Sequence, residues 1–174
     1  MRIRFNGTTS LIGVVGAGLL AASVALPAFA APVTEGRLAQ AANEPQNWLM
    51  TYGTYDGHRY SRNSQINRSN VGDLKMAFTM PLKTHRVRNA GLQGAPLVDD
   101  GMLYMADGHG NIYKIDVRDG VRPEVLWMAD AAVDEEESPV SRGIGLYRDT
   151  AITGLVDGRI IAVDRDTGEI VWDK

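Results

Sequence analysis

Ala162 to Trp172 reads AVDRDTGEIVW, and its reading decides the fold. It divides into a strand ending at Asp164, a turn through Asp166, Thr167 and Gly168, and a second strand through Ile170 and Val171 to Trp172. Glycine takes a positive φ without steric cost, and Asp and Thr before it can hydrogen-bond the turn backbone. The β-branched residues on either side favour half-buried, pleated strands.

A weaker copy lies upstream in YKIDVRDGVRPEVLW, Tyr113 to Trp127. Asp116 precedes Asp164, and Gly120 precedes Gly168, by the same 48 positions; Gly110 and Gly158, and Ile112 and Ile160, keep that offset. A repeat of this length built from short strands and turns is the mark of a propeller or solenoid, in which one unit cannot bury its own apolar faces.

The pattern A-x-D-x-x-T-G-x-x-x-W, met by Ala162, Asp164, Thr167, Gly168 and Trp172, resembles the tryptophan-docking motif of quinoprotein alcohol dehydrogenases. The likeness runs from about Trp48 to the C-terminus. It implies an all-β fold, a β-propeller of PQQ-type repeats that is eight-bladed in the family and holds pyrroloquinoline quinone, PQQ. Two blades and an N-terminal strand fit the length available, so the chain is expected to be the N-terminal piece of a longer protein, inactive alone.

The first blade is expected over Gln93–Ala129, with strands APLVDD, MLYMAD, NIYKIDV and EVLWMA. The second starts near Ser141 and follows the same plan through GIGLYRD, TAITGLV, RIIAVDR and EIVWDK. Asp157-Gly158 is a hairpin signal. Between the blades, Asp134 to Glu137 reads as a solvated acidic loop.

Residues 1–30 carry Arg2 and Arg4, an apolar run from Leu11 to Leu26 and the triplet Ala28-Phe29-Ala30, the pattern of a cleaved secretory signal. The run, roughly 16 residues, is short for a membrane span. Gly16, Gly18 and Ala21 match a dinucleotide fingerprint there, but no strand, turn and acidic partner frame them. Residues 31–46 are Ala-rich and polar and read as a flexible lead-in; 47–174 read as propeller.

Without residues 1–30 the chain keeps 16 Lys and Arg against 21 Asp and Glu, a balance that points away from nucleic acid. It has no cysteine, hence no disulfide, thiolate metal site or thiol nucleophile. His58, His85 and His109 are scattered singly and read as surface, without metal-ligand spacing. Arg59 and Arg62, in the aromatic stretch NWLMTYGTYDGHRYSR, could face a ligand, but solvated surface is the favoured reading.

PQQ is a planar quinone bearing three carboxylates, so a pocket for it needs fixed cations and apolar planes, with a hard metal ion to polarise a carbonyl. Arginine suits the first task because its planar fork donates two parallel hydrogen bonds to a carboxylate. The stretch VSRGIGLY, Val140 to Tyr147, resembles the family's V-N-R-G element, whose arginine contacts the cofactor; by resemblance Arg142 is the cofactor residue. At the repeat offset Arg142 aligns with Gly94, beside Gln93, both leading into an innermost strand. Gln93 falls where many members carry a glutamate that touches PQQ, keeping its size and losing its charge.

Three further points depart from the family pattern or extend it. Glu136 and Glu137 stand where many members have the two adjacent cysteines of a disulfide covering the quinone. Asn70, Val71, Leu74, Ala77 and Phe78 look like the family's short helix and ring-closing strand. The metal ligands, for calcium or a lanthanide, and the catalytic base are expected outside this chain, so no catalytic or metal residue is assigned in it.

The resemblance thus implies a periplasmic enzyme that oxidises an alcohol and passes electrons to a cytochrome c or a membrane quinone, any membrane association being through something other than a span in this chain. A non-enzymatic propeller scaffold of the bacterial envelope is the alternative, and a quinoprotein acting on a bulkier alcohol or polymer a further one. A cation at the axis favours the enzyme.

Overall fold

The computed structural model describes residues 31–82, 91–134 and 140–174. Strand β1 (Gly91–Ala95) leads into a four-stranded antiparallel sheet of β2 (Leu97–Asp99), β3 (Met102–Ala106), β4 (Ile112–Asp116) and β5 (Glu124–Ala129), arranged in chain order. Strand β6 (Val140–Gly143) leads into a second such sheet, β7 (Gly145–Tyr147), β8 (Thr150–Gly154), β9 (Ile160–Asp164) and β10 (Ile170–Asp173). These are the two blades the repeat implies, and β1 and β6 join them as a parallel pair.

Turn chemistry sets the hairpins. Asp100 and Gly101 both take positive φ, 50° and 72°, between β2 and β3. Two such residues make a tight turn whose twist matches that of the flanking strands. After β9, the Asp164 carboxylate accepts hydrogen bonds from the backbone N–H of Asp166 and Thr167 at 2.9 and 2.8 Å, and Gly168 follows at φ 79°.

The blades pack face to face. Ile112, Tyr113, Lys114 and Ile115 of β4 are all buried, as are Ile161, Ala162 and Val163 of β9, so both faces of these middle strands are covered. Tyr104, Ile112, Leu146, Ile161 and Val163 belong to one apolar cluster that draws on both sheets. Burial of a side chain of this size stabilises by about 1.5–3 kcal/mol.

One contact explains the motif. The Trp127 ring of the first blade lies on the turn of the second, its Nε1–H donating to the Arg165 carbonyl at 3.2 Å. A Cβ on Gly168 would sit 2.8 Å from that ring, so only glycine admits it. Lys114 Nζ donates to the same carbonyl at 2.7 Å.

The segment before Trp48 differs from the flexible lead-in that its composition suggested. Thr34 caps a short helix, α1 (Glu35–Ala39), and Val33 is fully buried, bridged to Arg148 by two backbone hydrogen bonds of 3.0 and 2.8 Å. Arg37 reaches Asp99 at 2.6 Å and Glu44 at 2.7 Å, and Arg165 of the second blade pairs with the other oxygen of the buried Asp99. One carboxylate thereby ties together the leading segment and both blades. Hydrogen bonds to Glu44 and Asp99 hold the Arg37 guanidinium far above its ordinary range, and the bond from Arg37 lowers Glu44.

The N-terminal strand expected around Leu74–Phe78 is not formed. Val71–Asp73 make a single 3₁₀ turn, but residues 74–82 join no ladder, and Leu74, Met76 and Phe78 are exposed. A strand exists through its partner's hydrogen bonds, and no described strand lies alongside these residues. The export signal expected over residues 1–30, His85, and Glu136 with Glu137 fall outside the described residues. Among the described residues no helix is long and apolar enough to cross a membrane.

Candidate functional site

The parallel pair between the blades is irregular at the position that matters. Leu92 pairs with Ser141 and Ala95 with Gly143, so Gln93 and Gly94 on β1 stand opposite Arg142 alone on β6. Such a bulge bends a strand and re-aims its side chains, and bulges are over-represented beside active sites. The two residues singled out in the sequence therefore face each other across it.

Glycine makes the approach possible. A Cβ on Gly94 would stand 2.4 Å from the Gly143 Cα, closer than any side chain tolerates, and Gly143 itself takes φ 125°. The strand is then braced from behind. The Gly143 N–H donates to the Ser141 hydroxyl at 3.3 Å, and the Thr153 hydroxyl donates to the Gly143 carbonyl at 2.8 Å. Ser141 and Thr153 are buried, so these bonds hold Arg142 on a fixed backbone.

Gln93 and Arg142 open onto a cavity of about 650 Å³ that is also lined by Trp48, Thr51, Tyr52, Arg59, Ala95 and Pro96. That volume lies in the range of small-molecule sites, about 300–1,000 Å³. Arg142 also borders an adjoining cleft of about 480 Å³ along β7 and β8. Among the described residues its guanidinium has no carboxylate partner, whereas Arg37, Arg118, Arg159 and Arg165 are each ion-paired.

The aromatic wall comes from the segment ahead of the blades. Trp48 exchanges two backbone hydrogen bonds with Val98 of β2, 2.8 and 2.9 Å, which anchors it to the first blade. Its ring covers Gly53, where a Cβ would be 2.9 Å away. Arg59, expected at the solvated surface, is exposed yet lines the cavity. Its guanidinium lies 4.4 Å from the centre of the Tyr52 ring, and its backbone N–H donates to the Tyr52 carbonyl at 3.1 Å. Arg62 borders a different, smaller hollow. An arginine among tyrosines was the one signal in the sequence for this wall.

The histidines divide. His58 is exposed and 3.0 Å from Asp56, whereas His109 is buried rather than at the surface. It lies in the β3–β4 loop, where the buried Asp107 accepts from the His109 and Asn111 N–H groups and from the Tyr113 hydroxyl, each at 3.0 Å. Among the described residues no three acidic, histidine or cysteine groups gather as a metal site.

Residues 48–173 match the family model of the PQQ glucose/ethanol/alcohol dehydrogenase β-propeller domain. The chain belongs to this family. It is 36% identical over 176 residues to the dehydrogenase subunit of the quinone-dependent alcohol dehydrogenase of Acetobacter aceti, covering 94% of this chain and 23% of that protein. With the quinohemoprotein alcohol dehydrogenase ADH-IIG of Pseudomonas putida it shares 33% over 168 residues, 93% of this chain and 22% of the relative. The solved structure of that enzyme from strain HK5 superposes with a TM-score of 0.70 at 30% identity, covering 82% of this chain and 21% of its own. A europium-containing methanol dehydrogenase gives the same TM-score at 25% identity, covering 80% and 24%. The chain thus spans less than a quarter of the length of each of these two curated relatives.

The cavity residues fit the cofactor that names the family. Among the described residues two guanidinium groups and no acid line it, which suits carboxylates, and the Trp48 and Tyr52 rings offer apolar surface to a planar molecule.

Proposed function

We propose that this chain is part of a periplasmic quinoprotein that oxidises an alcohol, and that the cavity beside the β1–β6 bulge receives PQQ. The observation that carries this reading is Arg142: a cation without an ion-pair partner among the described residues, fixed by a braced strand at a bulge, in a chain of the PQQ family.

Each side chain has a distinct task. Arg142 binds a carboxylate through its planar fork of N–H donors. Gln93, across the bulge, adds a neutral amide that can donate or accept without adding charge. Trp48 and Tyr52 exclude water from one side, which strengthens every hydrogen bond made inside. Bound PQQ supplies the two-electron acceptor that alcohol oxidation requires.

Calcium or a lanthanide accompanies the quinone, held by residues outside this chain, and a cytochrome c or a membrane quinone takes the electrons. The similarity to a quinohemoprotein alcohol dehydrogenase and a europium-containing methanol dehydrogenase supports this assignment. The signal-like residues 1–30 support export to the periplasm.

The test is an equilibrium titration of PQQ against the apo protein expressed from its complete reading frame, with Arg142→Ala and Arg142→Lys beside the wild type. A hydrogen bond to a charged group contributes about 1.5–3 kcal/mol, so the alanine variant should bind about 10- to 100-fold more weakly. Lysine should recover part of the loss. Equal affinity in all three would overturn the assignment.

A further inference from the structure

The same cavity holds a second cation that the assignment of Arg142 does not use. Building on the PQQ reading, we propose that Arg59 is a second carboxylate-binding residue, which makes the site selective for a planar ligand bearing at least two acidic groups.

Charge is the first ground. Among the described residues the lining includes Arg59 and Arg142 and neither Asp nor Glu, so these residues give the cavity two positive charges and no counter-ion. Elsewhere in the described residues, arginines that the fold itself uses are ion-paired: Arg37 and Arg165 with Asp99, Arg118 with Asp116, and Arg159 with Asp157 and Asp173. Arg59, like Arg62, Arg68, Arg122 and Arg148, has no ion pair among the described residues, and of these five it alone lines the cavity. Among the described residues its guanidinium meets the Tyr52 ring, which positions it and leaves its N–H donors available.

Backbone geometry is the second ground. Arg59 takes φ 55°, a left-handed conformation uncommon outside glycine that costs about 1–2 kcal/mol. The Arg59 N–H to Tyr52 carbonyl bond closes the loop that imposes it, and this loop carries Thr54, Asp56 and Gly57 out while returning residue 59 to the cavity. Unfavourable backbone held in place by surrounding bonds clusters at ligand clamps. Arg59 and Arg142 also arrive from separate segments, one ahead of the blades and one between them, so two acidic groups of one ligand would bridge these segments.

The experiment extends the PQQ titration to Arg59→Gln and Arg59→Lys in the protein from its complete reading frame, read by quenching of tryptophan fluorescence at several salt concentrations. Loss of one charge-assisted contact should weaken binding about tenfold in Arg59→Gln and reduce the dependence of affinity on salt. Arg59→Lys, which keeps the charge and loses the planar fork, should recover part of that loss and keep the wild-type salt dependence. If Arg59→Gln binds PQQ as wild type does, the proposal is wrong. If lysine fails as badly as glutamine, Arg59 serves the fold and not the ligand, and the proposal is equally wrong. A wild type that binds no PQQ overturns the PQQ reading itself, whereas an effect of Arg142→Ala without one of Arg59→Gln defeats only this inference.

Discussion

The turn at Asp164–Gly168 and its copy at Asp116–Gly120 have the same spacing and the same left-handed glycine, φ 79° and 77°, but opposite surroundings. At Gly168 an added Cβ would meet the Trp127 ring at 2.8 Å; at Gly120 there is nothing within 4 Å. The tryptophans differ in parallel. Trp127 packs against the core, whereas Trp172 is 36% exposed in a strand, β10, whose residues are all exposed. Glycine in this motif therefore answers two separate requirements, a positive φ and room for a ring. Only the downstream copy meets both within the described residues.

The difference between the tryptophans should be the largest effect. Trp127→Ala removes a ring packed between the blades and its hydrogen bond to Arg165, and should cost about 3 kcal/mol in urea unfolding of this chain. Trp172→Ala should stay within about 0.5 kcal/mol. Similar losses for both would mean that the docking contact does not hold the blades together.

Next come the glycines. Gly120→Ala bears only the left-handed backbone cost of about 1–2 kcal/mol, while Gly168→Ala adds overpacking against Trp127, a further 1–2 kcal/mol or so. In a Trp127→Ala background the two alanine costs should converge. A double-mutant cycle measures this directly, and an unchanged gap would break the comparison.

The smallest effect concerns the two aspartates. Both carboxyls are held below the ordinary 3.8, Asp164 first by the Thr167 backbone N–H and Asp116 first by the Arg118 side chain. A lowered folded pKa gives stability that is present above the unfolded value and is lost as pH falls through the folded one. Each aspartate therefore contributes above about pH 3.8 and less in stronger acid. Molar salt should raise Asp116 back toward its ordinary value by screening the exposed guanidinium, and should leave Asp164 nearly unmoved. Carboxyl NMR titrations at low and high salt distinguish the two.

The comparison also shows what could be read from the chain. The blades were legible because their signals are local: Asp-Gly turns, β-branched strands and a repeat in constant register. That Arg142 and Gln93 would lie near each other was legible because the repeat and the resemblance placed them just ahead of the first strand of each blade. Arg59 was not, since its place at the cavity depends on an approach between segments distant in sequence. The leading segment failed for a related reason. Its order rests on Arg37 reaching Asp99, 62 positions away, and on one buried valine, neither of which produces a periodic pattern. The strand expected around Leu74–Phe78 was legible as a sequence element, but its formation depends on a partner strand.

The most direct test of the central claim is a crystal structure of the protein from its complete reading frame, grown with PQQ. The expected result is a quinone in the cavity beside the β1–β6 bulge, with the Arg142 guanidinium hydrogen-bonded to one of its carboxylates. PQQ bound elsewhere, or Arg142 turned into an ion pair with a neighbouring loop, would contradict it.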